Sequence, residues 1–296
     1  MAIAWVFPGQ GSQKIGMAAP VLELNGALER FERASELLGR DLLAICDGSA
    51  AGELADLNDT RNTQPALFVI ESLLVDALRA QGRTAQLVAG HSAGELVALY
   101  AAGVFDVDTG LRLIQLRSEL MAAAGGGAMT AVMGFDRNQL RQLVDANKGV
   151  VIANDNSDAQ VVLSGTPEAV ASVSAALNCK RAVPLAVSGA FHSPFMAGAA
   201  EAFAAELESF DFADASIPVL SNTDPSPETS GTALKRKLRS QMTTGVRWRE
   251  TMARLQQEGI DTAVEIGPGS VLSGLIRRGC EGVGTAQIGG AADLGL

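Results

Sequence analysis

One serine in the chain has the surroundings of an enzymatic nucleophile. Ser92 is the central residue of Gly90-His91-Ser92-Ala93-Gly94, which follows an apolar stretch and precedes a helical one. A G-x-S-x-G segment between a strand and a helix predicts a sharp turn that exposes the serine hydroxyl. The free N–H groups at the start of the helix would then face a developing oxyanion. The sequence therefore predicts an attacking serine, with a tight turn of no chemical role as the alternative.

A serine hydroxyl needs a base, which is usually histidine, and the chain contains only two histidines. His91 is next to the serine, where alternation along the strand would point its ring away. His192 lies between a predicted strand and a predicted helix, a kind of junction that often carries catalytic groups. We therefore predict that His192 is the base. An acidic third member stays open among four aspartates between Ser92 and His192, which are Asp106, Asp136, Asp155 and Asp158.

An arginine on a predicted apolar helix face is the third candidate. Arg117 lies within the buried stripe that Leu113 and Leu120 mark. A buried guanidinium needs an anionic partner, and its fork matches a carboxylate with two hydrogen bonds. Arg117 therefore either forms an internal salt bridge with Glu95 or Glu71, or holds the free carboxylate of a dicarboxylic acyl group.

Short apolar or β-branched runs alternate with helical segments, which is typical of an α/β fold with a mostly parallel sheet. We expect strands at 2–7, 86–90, 219–222 and 262–266. We expect helices at 26–38, 64–80, 94–101, 108–121, 194–210 and 248–258. The predicted serine turn joins one of these strands directly to one of these helices.

One section differs from this alternation. After a glycine-rich stretch, the expected elements are strand 128–134, helix 137–146, strand 149–154, strand 160–164, helix 167–176 and strand 181–187. This β-α-β-β-α-β order is that of a ferredoxin-like unit. We therefore expect a small domain at 125–190, inserted in a large α/β-hydrolase-like domain formed by 1–124 and 191–296. A cleft between the two domains would be the natural binding site.

Composition argues against several other classes of protein. The chain has 296 residues, of which 47% are hydrophobic, without an apolar run long enough to span a membrane. Its net charge of −10 argues against nucleic-acid binding. Cys46, Cys179 and Cys280 lack the spacing of metal ligands, so no structural metal site is expected. The N-terminal segment predicts a first strand and not an export signal, so we expect a soluble cytoplasmic protein.

Two basic segments could contact an acidic protein partner in spite of the negative net charge. They lie at 235–239 and 277–278. A solvated helix face is the alternative for both segments, so sequence leaves docking open.

Together the motifs resemble those of malonyl-CoA:acyl-carrier-protein transacylases, the loading enzymes of bacterial fatty-acid synthesis. Acyltransferase domains of polyketide synthases are similar. The resemblance covers almost the whole chain, through the segments 7–13, 63–66, 90–94, 190–192 and 265–269, together with Arg117 and Asn154. Ordered motifs at compatible spacing are far more specific than any one of them alone.

The resemblance implies roles for individual residues. Ser92 matches the nucleophile, His192 its base, and Arg117 the residue that pairs with the malonyl carboxylate. The main-chain N–H groups of Gln10 and Ala93 match the donors of the oxyanion hole.

Five further residues receive roles from the same resemblance. Gln241 matches the residue whose main-chain carbonyl orients the catalytic histidine, which would explain why no aspartate is distinguished. Gln64 matches a glutamine that lines the pocket, and His91 and Asn154 are further substrate-binding candidates. Phe191 matches the variant associated with malonyl groups, because its ring would fill the space of a 2-methyl branch.

The activity implied by the resemblance is transfer of a malonyl group from malonyl-CoA to the phosphopantetheine thiol of acyl carrier protein. The transfer would pass through a malonyl-serine ester, with the coenzyme A thioester and acyl carrier protein as partners and without a metal or other cofactor. We expect a monomer. The alternatives are a stand-alone acyltransferase of a polyketide pathway, a serine hydrolase or thioesterase, and a non-catalytic subunit that binds carrier protein.

Overall fold

The computed structural model describes residues 1–187 and 189–295, and over these residues the chain forms nine strands and eleven α-helices. The strands are β1 (Ile3–Phe7), β2 (Leu87–Gly90), β3 (Ala128–Phe135), β4 (Val150–Ser157), β5 (Gln160–Gly165), β6 (Cys179–Pro184), β7 (Val219–Leu220), β8 (Thr262–Ile266) and β9 (Gly284–Ile288). The helices are α1 (Ala27–Leu38), α2 (Leu42–Asp47), α3 (Thr60–Ala80), α4 (Gly94–Ala101), α5 (Val107–Ala123), α6 (Arg137–Asp145), α7 (Pro167–Ala176), α8 (Ala197–Leu207), α9 (Gly231–Ser240), α10 (Trp248–Gln257) and α11 (Val271–Gly279).

Five parallel strands form the central sheet, in the order β7-β2-β1-β8-β9. A parallel sheet covered by helices on both faces needs apolar side chains that point both ways. In β1, Trp5 and Phe7 belong to the core that includes side chains of α3, α4 and α5. Ala4 and Val6 point to the opposite face, where α10 and α11 form a second core. The predicted α/β fold with a mostly parallel sheet is confirmed.

Four antiparallel strands form a separate sheet, in the order β4-β5-β3-β6. The helices α6 and α7 cover one face of it, where Leu140 and Val173 pack with Val161 and Leu163. Val162 lies between those two β5 residues and joins the core of the larger part of the chain. Because neighbouring residues of a strand face opposite ways, the second sheet is covered by its own helices on one face and turns the other toward the larger part.

Residue 246 attaches the edge of the second sheet to the larger part. The main-chain N–H of Val246 donates to Ala153 at 2.8 Å, and its carbonyl oxygen accepts from Asp155 at 2.9 Å. The Asp155 carboxylate also accepts hydrogen bonds from Arg137 at 2.6 Å and from Arg249 at 3.0 Å. Strand pairing and ion pairing together therefore fix the cleft between the two sheets.

Several predicted boundaries are wrong. The helix expected from residue 64 begins at Thr60, because Asp59 caps it by accepting the main-chain N–H of Arg61 at 2.9 Å. The strand expected at 181–187 spans Cys179–Pro184, and the residues after it leave the sheet to line a cavity. The strand expected at 219–222 is limited to Val219–Leu220.

Some elements were not expected from the sequence, namely α2, α9, α11 and β9. The helix α2 has only six residues, too few for a clear periodic pattern. Within the described residues, no helix combines the length and the apolar character that a membrane crossing requires.

Candidate active site

Ser92 lies in a tight turn at the carboxyl edge of the parallel sheet. The strand β2 ends at Gly90 and α4 begins at Gly94. The φ of Ser92 is 54°, in the left-handed region that is unfavourable for a residue with a side chain. A Cβ on Gly90 would lie 1.9 Å from the carbonyl oxygen of Gly94, and one on Gly94 would lie 2.3 Å from that of Phe7. Only glycines at these positions permit the turn that exposes the hydroxyl.

His192 contacts the hydroxyl of Ser92 through one ring nitrogen. Its Nε2 lies 2.7 Å from Ser92 Oγ, and its Nδ1 lies 3.0 Å from the main-chain oxygen of Gln241. A carbonyl oxygen only accepts, so Nδ1 carries the proton and Nε2 is free to accept the hydroxyl proton. Over the described residues, Ser92 and His192 are the two non-glycine residues with positive φ. Backbone strain is therefore concentrated at the two members of this pair.

The ring of His192 is held in its neutral form. Burial lowers the pKa of His192 to about 3, and the positive charge of Arg117 acts in the same direction. The residue is 3% exposed. A neutral imidazole with an unprotonated Nε2 can take a proton from the neighbouring hydroxyl, so the geometry and the electrostatics both suit a general base.

Arg117 projects from α5 with its guanidinium against the same hydroxyl. Its Nη2 donates to Ser92 Oγ at 3.2 Å, and its Nη1 donates to Gln64 Oε1 at 2.6 Å. The Nε and Nη2 groups donate to Gln241 Oε1 at 3.2 and 2.9 Å. The residue is 1% exposed. The structure therefore brings a cation, a neutral imidazole and a hydroxyl into one buried cluster.

The charge of Arg117 is balanced through an amide and not by a direct salt bridge. Gln241 accepts from Arg117 on Oε1 and donates from Nε2 to Glu95 Oε2 at 2.6 Å. Glu95 also accepts from the hydroxyl of Ser221. Burial lowers the pKa of Arg117 to about 10, while the charge of Glu95 opposes that shift. Neither Glu95 nor Glu71 contacts the guanidinium, so the salt bridge that the sequence left open is absent from the described part of the chain.

Two main-chain N–H groups beside Ser92 are available to a ligand. They belong to Gln10, which follows β1, and to Ala93, and neither donates to another main-chain group among the described residues. A Cβ on Gly9 would lie 3.6 Å from the nitrogen of Ala93, which places the loop after β1 against the serine turn. Two donors on one side of a nucleophile can bind an oxyanion.

A cavity of about 80 Å³ lies at Ser92 between the two sheets. The larger part of the chain contributes Gln10 and Gln64, and the second sheet contributes Met129 and Val162. A neighbouring cavity of about 910 Å³ shares Gln10 and Phe191 with it. The small space suits a short acyl group and the large one suits the long arm of a thioester.

Besides Gln64, three predicted substrate-binding residues line the small cavity. Phe191 is 6% exposed and forms a wall of both cavities. The side-chain oxygen of Asn154 has no hydrogen-bond partner among the described residues. His91 bonds through Nε2 to Asn156 Oδ1 at 2.8 Å, and its ring meets Trp248 edge-on at 5.5 Å. His91 is therefore held by the second sheet and is not the partner of the serine.

Sequence reasoning missed Asn222. Its Oδ1 accepts the main-chain N–H of Ser92 at 2.7 Å, and its Nδ2 donates to the carbonyl oxygen of Gly90 at 2.5 Å. A signal was present, because a polar residue at the carboxyl end of a predicted parallel strand lies at the edge where ligands bind in α/β sheets.

The described residues hold no group of three or more histidine, cysteine or acidic side chains that could bind a metal ion. Burial raises the pKa of the Cys46 thiol to about 12 and that of Cys280 to about 11. Thiols with raised pKa are poor nucleophiles. Ser92 is therefore the side chain whose surroundings suit attack on a carbonyl.

Known proteins are similar in sequence to this chain over almost its full length. The family model for the acyl transferase domain matches residues 4–292. The malonyl CoA-acyl carrier protein transacylase of Synechocystis sp. is 51% identical over 294 residues, which cover 99% of this chain and 99% of that protein. The protein of the same name from Bacillus subtilis is 40% identical over 93% of this chain and 90% of its own length.

Solved structures agree with the sequence comparison. The crystal structure of the Synechocystis malonyl-CoA:ACP transacylase superposes with a TM-score of 0.95 at 51% identity, covering 100% of this chain and 99% of that one. A malonyl-transacylase in complex with its type II polyketide acyl carrier protein gives a TM-score of 0.93 at 37% identity, covering 99% of this chain and 98% of that one. The match extends over both sheets and the serine turn, and the chain therefore belongs to the acyl transferase domain family.

Proposed function

We propose that the protein transfers malonyl groups from malonyl-CoA to the phosphopantetheine thiol of an acyl carrier protein in fatty-acid synthesis. The observation that carries the proposal is one hydroxyl with two buried partners. Ser92 Oγ lies 2.7 Å from His192 Nε2 and 3.2 Å from Arg117 Nη2. A serine–histidine pair alone suits many esters, whereas the guanidinium adds recognition of a carboxylate, which a malonyl group has and an acetyl group lacks. The names of the relatives support the same substrate.

In the first step, Ser92 Oγ attacks the thioester carbonyl carbon while His192 Nε2 takes the hydroxyl proton. The carbonyl oxygen becomes an oxyanion and accepts hydrogen bonds from the N–H groups of Gln10 and Ala93. The carbon–sulfur bond then breaks, the imidazolium returns its proton to the sulfur, and coenzyme A leaves as a thiol. The main-chain oxygen of Gln241 stabilises the imidazolium by accepting the Nδ1 proton.

In the second step, the phosphopantetheine thiol gives its proton to His192 and attacks the ester carbonyl. The ester carbon–oxygen bond breaks, and Ser92 Oγ takes the proton back from His192. The carrier leaves as a malonyl thioester and the free protein is restored. Because both steps balance with the substrates and these side chains alone, we propose that no metal or redox cofactor takes part.

The remaining site residues recognise the acyl group in this proposal. Arg117 pairs with the malonyl carboxylate, and Gln64 holds the guanidinium in place through its hydrogen bond of 2.6 Å. Phe191 occupies the space of a 2-methyl branch, which favours malonyl over methylmalonyl groups. The oxygen of Asn154, which has no partner among the described residues, faces the thioester from the second sheet, and the ring of His91 faces it from the serine turn.

We also propose finer names for the two parts of the fold. Residues 1–124 and 191–296 form an α/β-hydrolase-like large domain, and residues 125–190 form an inserted ferredoxin-like domain. The strand order β4-β5-β3-β6 with two helices on one face supports the second name. A parallel sheet with the serine turn after β2 supports the first. A monomer suffices, since every proposed site residue comes from one chain.

Malonyl transfer in a polyketide pathway is the second candidate. A Bacillus subtilis relative named as a polyketide biosynthesis malonyl CoA-acyl carrier protein transacylase is 38% identical to this chain, compared with 51% for the Synechocystis transacylase. The higher identity supports fatty-acid synthesis. Transfer rates to a fatty-acid carrier protein and to a polyketide carrier protein, measured side by side, separate the two pathways.

Intact-mass measurement after mixing with malonyl-CoA tests the proposal. We expect one malonyl adduct, which is absent from Ser92→Ala. The adduct should persist until a phosphopantetheinylated carrier protein is added. Carrier protein that lacks the phosphopantetheine group should not remove the malonyl group from Ser92. Prompt release of free malonate without carrier would identify a hydrolase. A chain that binds the carrier and never becomes labelled would be a non-catalytic subunit.

Of the two basic segments, 277–278 is the better candidate for carrier docking. Lys235 and Lys237 each have a carboxylate partner, at 3.6 and 3.1 Å. Arg277 and Arg278 are exposed on α11, and neither forms an ion pair with the residues that the structure describes. We propose that reversing both charges raises the KM for carrier protein and leaves labelling of Ser92 by malonyl-CoA unchanged. An unchanged KM would move docking elsewhere.

A further inference from the structure

The hydrogen bond between Arg117 and Ser92 opposes the nucleophilic attack that is proposed for the Ser92 hydroxyl. Arg117 Nη2 donates to Ser92 Oγ at 3.2 Å, and the same oxygen lies 2.7 Å from His192 Nε2. Ser92 Oγ therefore donates its proton to the imidazole and accepts one from a cation, and a cationic donor on one of the two lone pairs of the oxygen makes it a weaker nucleophile. The guanidinium is 1% exposed and is not among the described residues that line the small cavity. In the free protein Arg117 therefore contacts the Ser92 hydroxyl without lining the small cavity.

The charge that attack creates on His192 has the same sign as that of Arg117. Moving the proton from Ser92 forms an imidazolium that is separated from the guanidinium by one hydroxyl, in buried surroundings where like charges repel strongly. The Nδ1 of His192 bonds to a neutral carbonyl, so no carboxylate balances the imidazolium directly. The other ionisable groups near the ring are His91, which also disfavours its protonation, and Glu95, which lies beyond an amide.

We propose that Arg117 holds Ser92 and His192 in a slow state until the carboxylate of the acyl group reaches the guanidinium. This inference rests on the proposed function, because it gives the malonyl carboxylate a second task at the same site. Gln241 Oε1 holds the Nε–Nη2 edge, so the Nη1–Nη2 edge is the one that can take two carboxylate oxygens. Nη1 already donates to Gln64 Oε1 at 2.6 Å, but it carries two N–H groups and can donate to a carboxylate with the other.

A carboxylate on the Nη1–Nη2 edge has two effects. It takes over the donor that now binds Ser92 Oγ, and it cancels the charge that opposes the imidazolium. A malonyl group therefore accelerates its own transfer to Ser92, and an acetyl group cannot. Selection for malonyl then appears in the rate constant for acylation of the bound substrate as well as in binding.

Formate supplied as a separate carboxylate tests the inference. The neutral ester p-nitrophenyl acetate delivers an acetyl group without coenzyme A, and its released p-nitrophenolate reports acylation of Ser92. The Oγ–carbon bond forms, the aryl ester bond breaks, and the serine proton goes to His192. Wild-type rates are compared in sodium formate and in sodium chloride at equal ionic strength and pH, with Ser92→Ala as background. We expect formate to accelerate acylation by about tenfold or more, because removing a close like charge shifts a pKa by about one unit or more.

Arg117→Gln is the matched variant. It should acylate faster than the wild type in chloride and should not respond to formate. Equal wild-type rates in the two salts overturn the inference. Slower acylation in formate also overturns it, since it means that the cationic contact activates the hydroxyl. The wild-type comparison stands even if the variant does not fold. A failure of the proposed function has a different signature, in which malonyl-CoA leaves Ser92 unlabelled while formate still accelerates the ester reaction.

Discussion

Asn222 accepts the main-chain N–H of Ser92 on its side-chain oxygen at 2.7 Å, and its amide nitrogen donates to the carbonyl oxygen of Gly90 at 2.5 Å. One side chain therefore holds both sides of the turn in which Ser92 keeps a φ of 54°. Asn222 is 2% exposed and is not among the described residues that line the small cavity. It positions the nucleophile without a place in the substrate site.

Replacement of Asn222 by alanine should slow acylation more than it weakens substrate binding. The change leaves the partly buried N–H of Ser92 without its acceptor, a loss of about 1–3 kcal/mol that corresponds to about 5- to 150-fold in rate if it falls on the transition state. The measurement is the rate of malonyl labelling of Ser92 over a range of malonyl-CoA concentrations. Asn138→Ala, on the exposed face of α6, is the control. Labelling at the wild-type rate would show that the serine turn keeps its conformation without the hydrogen bonds of Asn222.

The roles of Gln241 can be separated, because its main chain and side chain bind different partners. Gln241→Ala keeps the carbonyl that accepts from His192 Nδ1 and removes the amide between Arg117 and Glu95. We expect malonyl-CoA use to fall by about tenfold or more, since a buried guanidinium loses an acceptor. Acylation by p-nitrophenyl acetate should fall less, because that ester has no carboxylate for Arg117 to hold. Equal losses for both substrates would instead indicate damage to the histidine or to the serine turn, because the Gln241 amide also donates to the main-chain oxygen of Ser92 at 3.0 Å.

The side chains of Ser92, His192 and Arg117 could be singled out from sequence because their residue types carry the chemistry. The roles proposed for Gln10 and Gln241 use main-chain groups, which every residue has, so only the family resemblance could mark these two residues. Asn222 contacts Ser92 because β7 pairs with β2, and this pairing depends on the strand order of the whole sheet. The sequence pattern of a single segment does not specify the order of the strands in the sheet.

Long helices and strands with a clear hydrophobic period could be predicted from the sequence, and short or exposed elements could not. The edge strand β9 has exposed residues at Ala286 and Gln287 and no alternation that would identify it. The helix α9 was noticed only as a basic segment, since its charged side chains obscure the apolar positions Leu234 and Leu238. The α/β class and the separate second sheet could be predicted from the sequence because each depends on the order of many elements, so an error in one element does not change the result.

The low pKa of His192 gives a prediction for pH dependence. Burial, assisted by Arg117, lowers this pKa from 6.5 to about 3, so the ring of the folded protein stays neutral in mildly acidic solution. Acylation by p-nitrophenyl acetate should therefore show no fall centred at pH 6.5. An inflection at that pH would mean that the ring titrates as a solvated histidine.

The same shift affects stability with a defined sign. The unfolded chain binds a proton at this histidine below pH 6.5 and the folded chain does not until about pH 3. The contribution of His192 to stability is therefore present above pH 6.5 and is lost as the pH falls toward 3. We expect His192→Gln to lose less free energy of unfolding on acidification than the wild type does. Urea unfolding across the acidic range measures the difference.

Two buried glutamates near the carboxyl edge of the sheet have opposite environments. Both are 0% exposed. Glu265 accepts the main-chain N–H groups of Leu272 at 2.9 Å and Ser273 at 2.7 Å, at the start of α11. Glu71 has no partner for either carboxyl oxygen among the described residues. Burial, with the charge of Glu265 as a second cause, raises the pKa of Glu71 well above its ordinary value.

Glu71→Met should therefore stabilise the fold, whereas Glu265→Met should destabilise it. The folded chain keeps a proton on Glu71 that the unfolded chain releases above pH 4.5, so the contribution of this residue to stability is lost as the pH rises from that value. A methionine of similar size removes the unpartnered carboxyl, and the gain of about 1–3 kcal/mol should increase as the pH rises above 4.5. Glu265→Met leaves two N–H groups at a helix start without an acceptor, at a cost of similar size. Urea unfolding over a range of pH above 4.5 measures both variants. A Glu71→Met protein that is less stable than the wild type would mean that a buried water satisfies the carboxyl.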